Sequence, residues 1–301
     1  MRKRFFSFLS AVIILSACNS SNTNDVSQDL TIPDSVKNGK PLQISEEVME
    51  NMIQNISSPV EIASLIRSTG MPYSQKYICK TDDIEKYDSN FKRAIGLGIL
   101  GADLGYLNMY NKTGSVLGNL STIKSIADEL KIGQFFDFST LKRLSVNNEN
   151  LDSLIFISTQ SFNNMDSYLR ESDRTSISAL IVTGLWIEGL YIASQVVKEN
   201  KHKDLAERIG DQKIIINDLL IILRNYKSDP NFASLIADIE AVKERYADIK
   251  ISYIKGEPEA VEKDGMLVIV QNETSVVEMT DQQLADIISI TEATRSKLIS
   301  L

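Results

Sequence analysis

The apolar positions of this chain recur mainly at helical spacing. Their pattern predicts a series of long helices, and no proline interrupts residues 73–229. The predicted helices cover about residues 58–70, 88–110, 115–131, 150–169, 174–199, 203–226, 230–251 and 284–301. We therefore expect a mostly all-α fold, an antiparallel bundle of about eight helices joined by short loops.

The C-terminal part of the chain has a different pattern. Two apolar, β-branched runs at residues 266–270 and 275–279 are separated by the polar residues 271–274. Such runs predict a β-hairpin, here at about residues 264–280. The hairpin is followed by a capping-box sequence that begins at Thr280, which predicts the start of the closing helix.

Three of the predicted helices are apolar on nearly every side, and each carries one acidic residue in its apolar stretch: Asp103, Glu188 and Asp218. Helices of this kind are typical of the centre of a protein. Tyrosines follow two of the acids at a distance of three residues, Tyr106 after Asp103 and Tyr191 after Glu188, which places each pair on one helix face. These five residues form the candidate ligand pocket.

A buried carboxylate must be paired with a cation, hydrogen-bonded or protonated, because an unpaired one costs several kcal/mol. The structural interpretation is a carboxylate bonded to Tyr, Asn or backbone groups, or paired with an Arg. The functional interpretation is an acidic cavity that binds a cation or an amine, or a general acid/base with a raised pKa. Catalysis also needs a nucleophile and an open cleft, and the sequence indicates neither. We therefore assign no catalytic residue, metal ligand or cofactor, and do not expect an enzyme.

The glycines of the second long helix match a short dinucleotide-binding pattern. Gly96, Gly98 and Gly101 have the spacing of that motif, but the charged segment at residues 90–93, with its Lys and Arg, precedes them where a buried strand is required. Glycine in a helix interior costs about 1 kcal/mol, so several in one helix need a reason. We interpret them as a face where the backbone of another helix approaches closely.

The first residues of the chain have the features of a secretory leader. The basic segment at residues 2–4 is followed by an apolar stretch at residues 5–15, too short to span a bilayer. Leu15, Ser16, Ala17 and Cys18 then resemble the lipobox of bacterial lipoproteins. That resemblance implies cleavage before Cys18, a thioether-linked diacylglycerol on its sulfur and acylation of the new amino terminus.

These features divide the chain into three predicted parts. Residues 1–17 are the lipoprotein signal peptide, and residues 18–40 are a flexible tether without apolar periodicity. Residues 41–301 form a single helical domain. Because lipid chains bury many CH₂ groups in the bilayer, we expect the mature protein to be held at the membrane through Cys18.

Composition narrows the classes of function. The chain has 32 Lys and Arg against 40 Asp and Glu, and a net charge of −8 disfavours nucleic acid as a partner. One histidine, His202, and two cysteines exclude His- or Cys-rich zinc sites and iron–sulfur clusters. With Cys18 alkylated, Cys79 is the only free thiol, which is either a small semi-buried apolar residue, a site of intermolecular bridging or a reactive thiol.

Three stretches, residues 58–66, 96–106 and 126–133, resemble a group of uncharacterised envelope lipoproteins of Bacteroidota type. The resemblance implies attachment to the outer membrane, with the body on either face, and supplies no catalytic residue. We expect a lipid-anchored envelope protein that binds or scaffolds an unidentified ligand or envelope protein. The alternative is a carboxylate-based ligand-binding protein or hydrolase that uses Asp103 and Glu188.

Overall fold

The computed structural model describes residues 59–80, 87–146, 151–263 and 266–300, which belong to one compact unit, Gln43–Leu301. In the described residues the elements are α1 (Pro59–Ser68), α2 (Asn90–Met109), α3 (Thr113–Glu129), α4 (Phe138–Val146), α5 (Leu151–Glu171), α6 (Thr175–Glu199), α7 (Lys203–Arg224), α8 (Pro230–Glu244), β1 (Lys250–Lys263), β2 (Met266–Glu278) and α9 (Asp281–Ile299). The predicted mostly α-helical fold with a hairpin before the last helix is confirmed. The predicted leader, Cys18 and the tether lie outside the described residues.

Local sequence signals explain where several helices begin. The side chain of Asp229 accepts a hydrogen bond from the backbone of Asn231, with Pro230 in the first turn of α8. Thr280 and Gln283 form the predicted capping box at the start of α9, each side chain bonded to the backbone of the other. These two predicted helix starts are confirmed.

The hairpin uses different strands from those predicted. Residues 266–278, which the sequence divides into two short strands, form a single strand, β2, and the predicted turn at residues 271–274 is wrong. Its antiparallel partner is β1, with Lys263 opposite Met266. The sequence of β1 is mostly polar and includes Pro258, at an irregularity in the register, so it lacks the apolar alternation on which the strand prediction depends.

The core is organised around α6. Helices α1, α2, α5, α7 and α9 all contact it, while α3 packs on α2 and α8 packs on α7 and α9. By length and composition α6 is able to cross a membrane, but 83% of its most apolar window is buried within the protein. The burial agrees with the prediction that this apolar helix is a central helix of the fold.

The contact between α2 and α6 is the most extensive between any two helices of the described chain. A Cβ atom on Gly98 would collide with the backbone of Ile181 and Leu185, and one on Gly184 would collide with the backbone of Ile95. Glycine is therefore required on both helices for their backbones to approach this closely. The predicted close approach of another helix backbone is confirmed at Gly98, whereas a Cβ atom on Gly96 would meet the side chain of Tyr87 and one on Gly101 the side chain of Leu185.

Candidate functional site

The two acids that the sequence places at the centre of α2 and α6 do meet in the structure. Asp103 and Glu188 are both fully buried, at 0% exposure. One carboxylate oxygen of each lies within 4.8 Å of the other and of the sulfur of Cys79. Cys79 belongs to the segment between α1 and α2, and Arg295 reaches the same cluster from α9. We refer to Cys79, Asp103, Glu188 and Arg295 as the acid cluster.

Glu188 forms a two-point ion pair with Arg295. The Nε and Nη2 atoms of Arg295 donate to Oε2 and Oε1 of Glu188 at 2.8 and 2.7 Å. Paired geometry of this kind holds the guanidinium plane rigidly against the carboxylate. Although burial by itself lowers the pKa of Arg295, its hydrogen bonds and ion pair with Glu188 raise it overall. Glu188 is therefore neutralised inside the protein.

Asp103 is less completely satisfied. Its Oδ2 accepts a hydrogen bond from the backbone N–H of Cys79 at 2.9 Å, while its Oδ1 is buried and meets no hydrogen-bond donor. The carboxyl groups of Asp103 and Glu188 are neighbours, with one oxygen of each within 4.8 Å of the other. Burial, and then the charge of Glu188, hold the pKa of Asp103 well above its usual range. Asp103 is therefore the acid of the pair whose ionised form the interior disfavours.

The thiol of Cys79 lies against the guanidinium. Nη2 of Arg295 donates to its Sγ at 3.0 Å. Burial, followed by the charges of Glu188 and Asp103, nevertheless raises the pKa of the Cys79 thiol. A protonated, largely buried thiol is a poor nucleophile, so the arrangement does not prepare Cys79 for attack on a substrate.

The two tyrosines of the predicted pocket have different roles. The ring of Tyr191 stacks under the guanidinium of Arg295, 4.3 Å from its centroid, and so fixes the cation from a second side. Tyr106 instead turns its hydroxyl to the backbone of Ser74, whose N–H donates to it at 3.0 Å. Tyr191 therefore adjoins the acid cluster, whereas Tyr106 holds the segment that carries Cys79.

That segment, residues 71–80, is fastened to α2 by a group of tyrosines. The rings of Tyr73, Tyr77 and Tyr110 all lie within 6.2 Å of the ring of Tyr106. The hydroxyl of Tyr110 donates to the backbone carbonyl of Met71 at 2.8 Å. Such aromatic contacts add to the burial of the segment. The position of Cys79 is thus fixed by α2 even though the segment has no long helix of its own.

Asp218 does not belong to the cluster that Asp103 and Glu188 form. It lies half-buried on α7, where burial alone raises its pKa. The apolar stretch around it, which predicts a central helix, also has partly exposed residues: Ile214 is 41% exposed and Ile221 is 37% exposed. The described residues leave part of the apolar outer face of α7 exposed. An apolar stretch in the sequence looks the same whether its helix is buried on every side or has an exposed apolar face.

Arg295 is the member of the cluster that sequence analysis missed. The sequence does contain a feature that points to Arg295, because this residue falls at helical spacing on the stripe of α9 that is buried. The other buried members of that stripe are Leu284, Ile287, Ile288, Thr291, Thr294 and Leu298. A cation on an apolar stripe requires a buried partner, and two buried acids without assigned partners were already predicted.

An open cleft of about 430 Å³ lies elsewhere, lined by Leu65, Asp204, Glu207, Arg208, Asp211 and Ser275. In it the hydroxyl of Ser275 donates to Asp211 at 3.1 Å, and burial raises the pKa of Asp211. None of the residues predicted for the ligand pocket lines this cleft. The alternative of a carboxylate-based ligand-binding protein or hydrolase requires Asp103 and Glu188 to face a solvent-connected cavity. Both acids are instead fully buried, so the geometry does not support that alternative.

No protein-family model, no curated protein and no solved structure matches the chain. The function must therefore be argued from the sequence and the geometry of the described residues.

Proposed function

We propose that the protein is a lipid-anchored component of the bacterial envelope, held in the outer membrane through Cys18, whose helical body binds or scaffolds another envelope protein. The observation that carries the proposal is the lipobox-like sequence that ends at Cys18, directly after a basic and an apolar segment of leader length. The acyl chains provide stable attachment, because each buried CH₂ contributes about 0.8 kcal/mol.

The interior of the body supports a binding role rather than turnover. The acids in the α2–α6 core lie beside each other, Glu188 is paired with Arg295, and both acidic residues are fully buried. A hydrolase needs a carboxylate, a nucleophile and a substrate within hydrogen-bonding distance of one another in an accessible cleft. Glu188 is instead engaged by Arg295 through both of its oxygens.

The hairpin is the surface best suited to a protein partner. Among the described residues the sheet has two strands, so within that part of the chain each strand has one edge of N–H and C=O groups without a strand neighbour. Tyr253 and Ile254 on β1 are large apolar residues that are 57% and 59% exposed. An extended segment of another envelope protein can add to this edge as a further strand.

The anchor is tested with Cys18→Ala. We expect the variant to lose lipid attachment and to move from the membrane pellet to the soluble fraction, or to accumulate with its leader uncleaved. Cys79→Ala is the matched control, because it removes the other cysteine and is expected to remain in the membrane pellet. Undiminished membrane attachment of Cys18→Ala would contradict the proposal.

The partner is tested with a photo-crosslinking residue placed at Tyr253 in cells, followed by mass spectrometry of the products. We expect one dominant envelope protein, and none when the same residue replaces the exposed Glu129 on α3. A protein that is recovered only as a monomer from both positions would exclude the hairpin as the binding surface.

A further inference from the structure

We propose that Cys79, Asp103 and Glu188 form a buried binding site for one divalent metal ion of the zinc type, with Arg295 as a charged neighbour that balances the site. This inference does not depend on the proposed function. It differs from the expectation from the sequence, in which no metal ligand is assigned.

The first argument is geometric. One potential ligand atom from each of the three residues lies within 4.8 Å of the other two, a separation that a single ion can bridge with bonds of about 2.0–2.3 Å after small side-chain shifts. The three side chains come from the 71–80 segment, α2 and α6, which the tyrosine group and the glycine contacts hold together. The ligand positions are therefore fixed by the fold rather than by a mobile surface.

The second argument concerns the unpartnered oxygen. Oδ1 of Asp103 is buried and receives no hydrogen bond, and one oxygen of the neighbouring Glu188 carboxylate lies within 4.8 Å of an Asp103 oxygen. Two neighbouring acceptors in a dry interior need a positive charge between them, which is either a proton or a metal ion.

The third argument is the charge balance with a metal bound. A thiolate and two carboxylates contribute three negative charges, and Arg295 with a divalent ion contributes three positive charges, so the occupied cluster is neutral. The hydrogen bond from Nη2 of Arg295 to Sγ of Cys79 stabilises the thiolate that a metal requires. Arg295 uses one lone pair on each oxygen of Glu188, and each oxygen retains another for the ion.

The ligand set also selects the metal. A thiolate with two carboxylates is too soft for Mg²⁺ or Ca²⁺, which prefer oxygen ligands alone. Three protein ligands suit Zn²⁺, which leaves its fourth position for water. When the ion binds, Cys79 and Asp103 each lose a proton to solvent and form the new metal–sulfur and metal–oxygen bonds.

The experiment uses the full-length protein, purified in detergent, stripped with EDTA and titrated with Co²⁺ as a spectroscopic substitute for Zn²⁺. We expect one equivalent to produce a thiolate-to-cobalt charge-transfer absorption. Cys79→Ser should abolish that absorption, and Asp103→Asn should weaken binding at least tenfold. Asp218→Asn is the matched control, since it removes a half-buried acid outside the cluster and should bind as the wild type does.

A wild-type protein without a thiolate absorption at saturating Co²⁺ would overturn the proposal and assign the positive charge to a proton. Equal binding by Asp103→Asn and the wild type would overturn it as well. A second measurement needs no variant: Zn²⁺, but not Mg²⁺, should slow alkylation of Cys79 at least tenfold, as located by peptide mass mapping. Equal alkylation rates with the two ions would again exclude the site.

Discussion

Polar and apolar groups have opposite environments at the crossing of α2 and α6 and in the β1–β2 hairpin. At the crossing, backbones touch through glycines, and the buried Glu188 is paired with the guanidinium of Arg295 beside the buried Asp103. In the hairpin, Tyr253 and Ile254 are exposed, and the sheet formed by the described residues has two strands. The first region uses its charged groups for internal pairing, whereas the second leaves hydrogen-bonding edges and apolar side chains for another molecule.

The comparison separates stability from recognition. Buried charges are costly when they lose a partner, so substitutions at the crossing should act on the free energy of unfolding. Exposed apolar groups contribute little to folding, so substitutions in the hairpin should act on binding. The following predictions test this separation, from the largest expected change in stability to the smallest.

Arg295→Met should lower the free energy of unfolding by about 3–5 kcal/mol, because it leaves Glu188 buried without its cation. Lys297→Met on the same helix is the matched control. It removes an exposed partner of Asp238 and should cost less than about 1 kcal/mol. Urea unfolding of the three proteins measures both values, and similar losses in the two variants would show that Arg295 does not neutralise a buried charge.

Gly98→Ala should destabilise the fold by about 1–3 kcal/mol, because the added methyl group collides with the backbone of α6 and cannot be relieved by a rotamer change. Gly118→Ala is the opposite case, since no atom lies within 4 Å of the position of its Cβ. There we expect a gain of about 0.5–1 kcal/mol from helix propensity. Thermal unfolding of both variants gives the sign, and stabilisation by Gly98→Ala would rule out the close crossing.

The raised pKa of Asp103 predicts a pH dependence of stability in the presence of EDTA. Because burial and Glu188 raise its pKa in the folded state, the folded protein retains a proton that the unfolded chain loses near pH 3.8. The stability that this proton contributes is complete below that pH. It falls by up to about 1.4 kcal/mol per pH unit as the pH rises toward the folded-state pKa.

Asp103→Asn removes that titration while keeping a neutral side chain of similar shape. Its free energy of unfolding should therefore decline less steeply than that of the wild type between about pH 4 and the raised pKa of Asp103. Urea unfolding at a series of pH values measures the difference in slope. Parallel curves for the two proteins would mean that Asp103 is ionised in the folded state.

Replacing Tyr253 and Ile254 by serine should change the free energy of unfolding by less than about 0.5 kcal/mol, because both side chains are mostly exposed. The same variant should lose the crosslinked partner. The two measurements together sharpen the comparison, since a large loss of stability would mean that the hairpin belongs to the core.

The helical core could be predicted from sequence because helices that are buried on every side have long apolar stretches with few charged residues. The apolar stretches around Asp103 and Glu188 lack charges on every side, and the structure places both acids at the centre. The outer helix with Asp218 has a similar composition but a partly exposed face, which only the packing of neighbours determines. Composition therefore identified α2 and α6 as central helices, but it also predicted α7, which has a partly exposed face.

The pairing of the acids could not be predicted with the same certainty, because it depends on contacts between distant elements. Arg295 is one charged residue in a helix with ordinary amphipathic spacing, and only its position on the buried stripe distinguishes it. Sequence analysis missed the strand β1 because its mostly polar sequence lacks the apolar alternation that predicts a strand.

The position of Arg295 near the end of the chain has a consequence for the order of assembly. Its contact with Glu188 spans 107 residues, and its contact with Cys79 spans 216. A chain synthesised from the N-terminus exposes both acidic helices long before the cation that stabilises their crossing exists. The buried charge of Glu188 is therefore neutralised by Arg295 only after α9 has been synthesised.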